Sequence, residues 1–176
     1  QQITFKEKKI TPAEFAYSEQ KIKDLGFDDA TVHDKMNDVL DLFDEIIVRE
    51  ESDLPEGHPI KTYLKENEAA RKLIAEMKEE LNKKFIKNKW LEYYDKLYTF
   101  NLTHLARKQH QLFSILETKG FDRPSRIMWS FDNAVRDNIS EARKLLQEDK
   151  IEEFLKKQEI VWELTLDIMH KEEEIL

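Results

Sequence analysis

The segment His104-Leu105-Ala106-Arg107-Lys108-Gln109-His110-Gln111-Leu112-Phe113 sets a single imidazole on a helical face whose other positions are apolar. His104 falls seven residues after Leu97 and eight before Leu112, so the helical repeat turns it toward the buried side. Asp132 lies between Met128 and Val135 and is turned inward by the same argument. Glu172 and Glu173 follow Ile168 and Met169 on a later apolar stripe, and His58 precedes Pro59 at the mouth of another helix. Imidazole and carboxylate together suit iron, manganese or zinc. A carboxylate buried alone is costly, so an inward Asp132 calls for a cation or a strong donor. Each residue also has a plainer reading. His104 equally fits a hydrogen-bonded core histidine, Asp132 a pair with Arg136 or Arg107, and His58 a cap on the incoming chain. His110 and His170 adjoin polar runs and read as surface residues. No two histidines are four apart, so spacing alone gives only a weak metal signal.

To bring these positions to one height the chain needs long antiparallel helices, and its pattern supplies them. Ser52-Asp53-Leu54-Pro55-Glu56-Gly57-His58-Pro59 is the clearest break. Four long segments follow. The first spans about Pro59–Phe85, with Ile60, Leu64, Ala70, Ile74, Met77 and Leu81 facing inward. The second spans about Lys89–Thr118 through Leu97, Leu105, Leu112 and Leu116. The third spans about Ser125–Gln147, with Met128, Val135, Ile139, Ala142 and Leu146. The fourth runs from about Lys150 to the end, with Phe154, Val161, Trp162, Thr165, Ile168 and Met169. The short joins suit antiparallel neighbours in an up-down, left-handed bundle. Before Ser52, Thr11-Pro12-Ala13-Glu14 reads as an N-cap, a proline at the first helical position and an acidic first turn. Gly26 ends that helix, and a second starts near Asp29, with His33 as an ordinary surface or packing residue. The expected architecture is therefore all-α: an antiparallel four-helix bundle over residues 53–176 with an N-terminal helical extension over 1–52.

Composition narrows the function classes. A chain of 176 residues, 40% of them apolar and only three glycine and four proline, fits one helical domain with a substantial core. Thirty-seven acidic against 29 basic residues, with no dense basic stripe, argue against a nucleic-acid surface. The basic run Asn82–Lys89 reads as a solvated helix junction. With no cysteine, thiolate ligation and disulfides are excluded. No signal peptide and no apolar run near 18 residues is found, so a soluble cytoplasmic protein without membrane attachment is expected. The chain begins without methionine and stops inside an apolar-periodic segment, so a longer parent or a tail beyond Leu176 is expected.

Glu56-Gly57-His58-Pro59-Ile60, Lys65-Glu66-Asn67, His104 to Phe113, Pro124-Ser125-Arg126-Ile127-Met128-Trp129 and Lys171-Glu172-Glu173-Glu174-Ile175-Leu176, in that order, resemble the hemerythrin-like HHE cation-binding domain of the domain-of-unknown-function 438 proteins. Ile10 to Leu42 is similar to that family's helical N-terminal region, so the likeness covers nearly the whole chain. It implies non-haem iron as cofactor, a small diatomic ligand, and a downstream PAS sensor domain as partner. By position the metal ligands it implies are His58, His104, Asp132 and Glu173, with Gln109 as a peripheral donor. Two of these depart from the pattern. Where the family has Arg-Lys-Glu-Asn the chain has Arg107-Lys108-Gln109-His110, so an acid has become an amide. Where the family has a histidine after Met-Trp-Gly and an apolar residue, the chain has Met128-Trp129-Ser130-Phe131 and then Asp132. The expectation is a sensory or regulatory module holding at most one iron ion, weakly, rather than a dinuclear oxygen carrier. The alternatives are a metal-free helical interaction protein, or a metal-dependent enzyme acting on oxygen, peroxide or nitric oxide. Nothing in the sequence defines a substrate pocket or an acid–base pair, which weighs against the enzyme.

Overall fold

Pro59 at the first turn costs no hydrogen bond, and the Nδ1 of His58 accepts the otherwise orphaned N–H of Ile60 at 3.3 Å. This start launches α1, Pro59–Glu80. The computed structural model describes residues 54–120 and 122–175, with positions 10, 11, 14, 17, 18, 21, 25, 26, 31 and 35 before them. After α1 come α2 (Lys87–Phe100), two π-helical turns (Asn101–Leu105 and Lys108–Leu112), α3 (Phe113–Thr118), α4 (Asp122–Gln147) and α5 (Ile151–Ile175). The run from Lys87 to Thr118 acts as one bundle helix. Chain neighbours pack on one another and α1 closes the ring against α5, which makes an all-α four-helix bundle. Among the described residues, no helix is long and apolar enough to cross a membrane.

The apolar stripes of α4 and α5 are buried as their periodicity predicts: Val135, Ile139, Ala142 and Leu146 face Phe154, Val161, Ile168 and Met169. Along α1 the stripe is Ala70, Ile74 and Met77, but Ile60, Leu64 and Leu81 are more than 40% exposed, contrary to expectation. Ile60 and Leu64 lie in the first turns, where the inward position passes to the buried Asn67. Leu81 is already past the helix end. That end is at Glu80 rather than Phe85, because Asn82 and Lys83 turn back onto the carbonyls of Glu79 and Glu80. Phe85 then stacks on Trp90 at 6.1 Å, and its edge meets Phe154, which also contacts Trp90 and Tyr94. Ring packing of this kind adds about 0.5–1.5 kcal/mol per pair beyond area burial, so one end of the bundle is closed by aromatics. The opposite end is charged.

Between the two ends lie buried polar atoms without protein partners: both amide atoms of Asn101 and Gln158, the Tyr94 hydroxyl and the Trp162 indole N–H. At the N-terminus, Thr11 is the cap that the sequence implied, its Oγ1 accepting from Glu14 N–H at 3.2 Å, and Glu14 returns a bond by accepting from Thr11 N–H at 2.9 Å. Gly26 takes a left-handed φ of 84°, as a helix stop requires. The packing of the 1–52 region on the bundle, and His33, lie outside the described residues.

Candidate functional site: a buried lysine among carboxylates

A π-turn places one extra residue in each turn, so the inward face of the second bundle helix takes more side chains than a regular α-helix allows. Asn101, His104, Leu105, Lys108 and Gln109 are all buried, while Leu112, expected on the stripe, is only half-buried. Lys108, 1% exposed, is drawn into the bundle, where its ammonium donates to Asp132 Oδ1 at 2.6 Å and to Glu172 Oε1.

His104 is fully buried, its ring stacked on Phe100 at 4.7 Å and met edge-on by Tyr63 at 5.4 Å. Its Nδ1 lies 2.8 Å from Glu66 Oε2 and its Nε2 2.9 Å from Glu172 Oε2. Glu66 also accepts from Arg107. Gln109 Nε2 donates to the second oxygen of Asp132 at 3.0 Å, and its own oxygen accepts from Arg136 at 3.2 Å. Asn67 Nδ2 donates to both Glu172 (3.1 Å) and Glu173 (3.2 Å), and Arg71 grips Glu173 through two 2.8 Å bonds. Leaving His104 aside, four carboxylates (Glu66, Asp132, Glu172, Glu173) meet three cations (Arg71, Arg107, Lys108), and Arg136 joins the network through the Gln109 oxygen.

Two carboxylates competing for one ammonium are driven apart in proton affinity. Burial pushes the Asp132 carboxyl up to about 6, against the pull of Lys108 and with Glu172 adding to the rise. Burial acts the same way on Glu172, but the Lys108 charge and the hydrogen bond from His104 together outweigh it and hold Glu172 at about 2.

The structure brings four of the five sequence-expected residues into this network: His104, Asp132, Glu173 and Gln109. His58 instead caps α1 through Ile60 and takes no part in the network's hydrogen bonds, so of its two sequence readings the capping one is seen. Asp132 pairs with neither Arg136 nor Arg107, the partners open from sequence, but with Lys108 and Gln109. Glu173 sits on the rim with Arg71, and its neighbour Glu172 holds the inner position. Sequence reasoning missed Lys108, Glu66, Asn67 and Arg71. Lys108 stands one turn after His104 on the same helical face, and that spacing was the available signal; the rarity of a buried lysine hid it.

Over residues 58–176 the chain matches the hemerythrin HHE cation binding domain, and it belongs to that family. Neither the curated proteins nor the solved structures yield a match. The family implies a bound cation, and the donor set here does not fit one. A histidine ligand offers a metal the lone pair of a free ring nitrogen, and both nitrogens of His104 face carboxylates. The point where Asp132 and Glu172 converge is filled by an ammonium. Among the described residues, no group of three or more histidine or carboxylate side chains is arranged to hold a metal ion.

Proposed function

We propose that this chain is a non-enzymatic regulatory module of the hemerythrin fold in which the ammonium of Lys108 stands where the family's cation would stand. The observation that carries the reading is the position of that ammonium, buried and shared by Asp132 and Glu172. In the family, a cation binds helices together by drawing carboxylates and imidazole from several of them. Here the same work falls to a side chain carried by the second bundle helix, which ties α4 through Asp132 and α5 through Glu172. Asp132 and Glu172 already have hydrogen-bonding partners at both oxygens, so a divalent ion would have to displace one of them to enter this buried site. Such a module acts through its surface and its stability, and a PAS-type sensor domain, the partner implied by the resemblance, is its proposed receiver.

A second reading has one observation in its favour. Asp132 and Glu172 both accept from the Lys108 ammonium, and His104 lies against the far oxygen of Glu172, so an ion that displaced the ammonium would find two carboxylates with an imidazole behind one of them. Weak binding of one iron ion is that reading.

Thermal melting separates the two. Iron(II), manganese or zinc that binds the native state raises its melting temperature in proportion to the logarithm of ligand concentration. The wild-type chain is expected to melt unchanged in each metal, and Lys108→Ala to gain stability with at least one. A concentration-dependent rise in wild type supports the second reading.

A further inference from the structure

Where the chain enters α1, an apolar groove runs between that helix and the second bundle helix, lined by Ile60, Tyr63, Leu64 and Leu112 with Lys108 and Glu172 at its base. Exposed apolar side chains scattered singly need no explanation, but Ile60 and Leu64 are exposed side by side around one cavity of about 60 Å³. That volume is several times what a water molecule needs and suits the end of one inserted side chain. On the rim, Lys61 and Lys65 follow Ile60 and Leu64, and both pair with Glu56, an exposed carboxylate. Exposed pairs of this kind contribute little, so both lysines are open to another carboxylate.

The chain itself carries the complementary element. Val32, Met36, Val39, Phe43, Ile46 and Ile47 fall on one face at helical spacing. Thr31 and Lys35, at the flank of that face, are helical and exposed. From Asp28 to Asp53, ten acidic residues stand against two basic ones, so this apolar face has an acidic border where the groove has a basic one. Reach limits where the face can go. Ile47 and Leu54 are seven residues apart, a span of at most about 25 Å. The 22 residues of α1 extend about 33 Å. After Leu54 the chain turns, His58 N–H donating to the Pro55 carbonyl at 3.1 Å, and enters α1 two residues before Ile60. Ile46 and Ile47 are therefore tethered near the groove and fall short of the aromatic end of the bundle.

We propose that the apolar face of residues 32–47 docks in this groove of its own chain, with one side chain inserted between Leu64 and Leu112 and the acidic border set against Lys61 and Lys65. A short tether gives the segment an effective concentration in the millimolar range, which favours it over a second copy as the occupant. Docked there, it closes the open end of the bundle over Lys108 and Glu172. A regulatory partner that captured residues 32–47 would uncover that end. Docking is independent of whether an ammonium or a metal occupies the centre.

The chain has no cysteine, so a single introduced one carries a nitroxide at a chosen place. In the full chain, a nitroxide at Glu68→Cys, an exposed position one turn beyond Leu64, should broaden away the side-chain NMR signals of Ile46 and Ile47. A nitroxide at Lys84→Cys, past the far end of α1, should leave both signals sharp. Leu64→Glu, at an exposed wall position, should restore the signals in the Glu68→Cys protein, and Phe43→Ser should restore them without altering the bundle. Signals that stay sharp beside Glu68→Cys, or broadening that survives both variants, would overturn the proposal. A mixture of isotope-labelled chain and separate nitroxide-bearing chain distinguishes the occupants. Sharp signals in that mixture support docking within one chain, whereas broadening there would mean that a second copy fills the groove and would overturn it.

Discussion

Lys108 Nζ lies 2.6 Å from Asp132 Oδ1, and neither side chain is more than 1% exposed. A lysine and an aspartate so placed need each other. Removing the ammonium strands Asp132 and Glu172 as buried negative charges, which is far more costly than the pair's net contribution to stability.

Lys108→Met, close in length and unable to donate, should therefore lower unfolding free energy by about 3–5 kcal/mol in urea titration. Adding Asp132→Asn and Glu172→Gln should recover at least half of that loss, because the stranded charges go with the lysine. A double or triple variant as unstable as Lys108→Met alone would mean that the ammonium contributes by packing rather than by charge.

His104 joins α1 to α5 because its ring lies between the accepting carboxylates of Glu66 and Glu172. His104→Ala breaks two hydrogen bonds to charged groups and leaves a small cavity under Phe100, so a loss of about 3 kcal/mol or more is expected. Its unfolding should be equally destabilised in the presence and absence of added metal. A metal-dependent difference between wild type and this variant would return His104 to a ligand role.

Acid sensitivity is expected at the α1–α2 corner. Glu80, with its side chain 5% exposed, accepts from Lys89 at 2.7 Å and Lys83 at 3.1 Å. The Lys89 bond leads in holding its carboxyl below the usual value of 4.5, against the effect of burial. A depressed folded-state pKa gives stability that is complete above the unfolded value and is lost as pH falls through the folded one. Stability should fall as pH drops below about 4.5, and Glu80→Gln should flatten that limb of the curve while lowering stability at neutral pH. An unchanged acid limb in Glu80→Gln would contradict the assignment.

Gln158 is fully buried on α5 with neither amide atom bonded to protein. Gln158→Met keeps the volume and removes both polar atoms, so it should stabilise the bundle by about 1–2 kcal/mol. Destabilisation in a melting experiment would instead identify ordered water as the partner of this amide.

The legibility of the fold in the sequence differs along the chain. The stripes of α4 and α5 are regular, and Val135, Ile139, Phe154 and Val161 are buried where their spacing put them. Asp132 and His104 were turned inward by the same count, and both are buried. The second bundle helix was harder, because two π-turns break the 3.6-residue register just where the charged groups gather. A regular count sends Lys108 inward beside His104, a place its charge argues against, and puts Leu112 on the stripe with Gln109 at its flank, whereas Gln109 is buried and Leu112 only half-buried. Glu66 and Arg71 were invisible for another reason: nothing local in α1 distinguishes a glutamate that reaches His104 from its solvated neighbours. Only the packing of α1 against the second helix and α5 selects them.

The central claim is that an ammonium, not a metal, holds the centre of this hemerythrin-family bundle. Elemental analysis of wild-type protein expressed in iron-replete medium, with an aerobic absorption spectrum, tests it most directly. The account predicts far less than one iron per chain and no μ-oxo band for wild type, with Lys108→Ala acquiring metal under the same conditions. One or two irons per wild-type chain, with the band present, would contradict it.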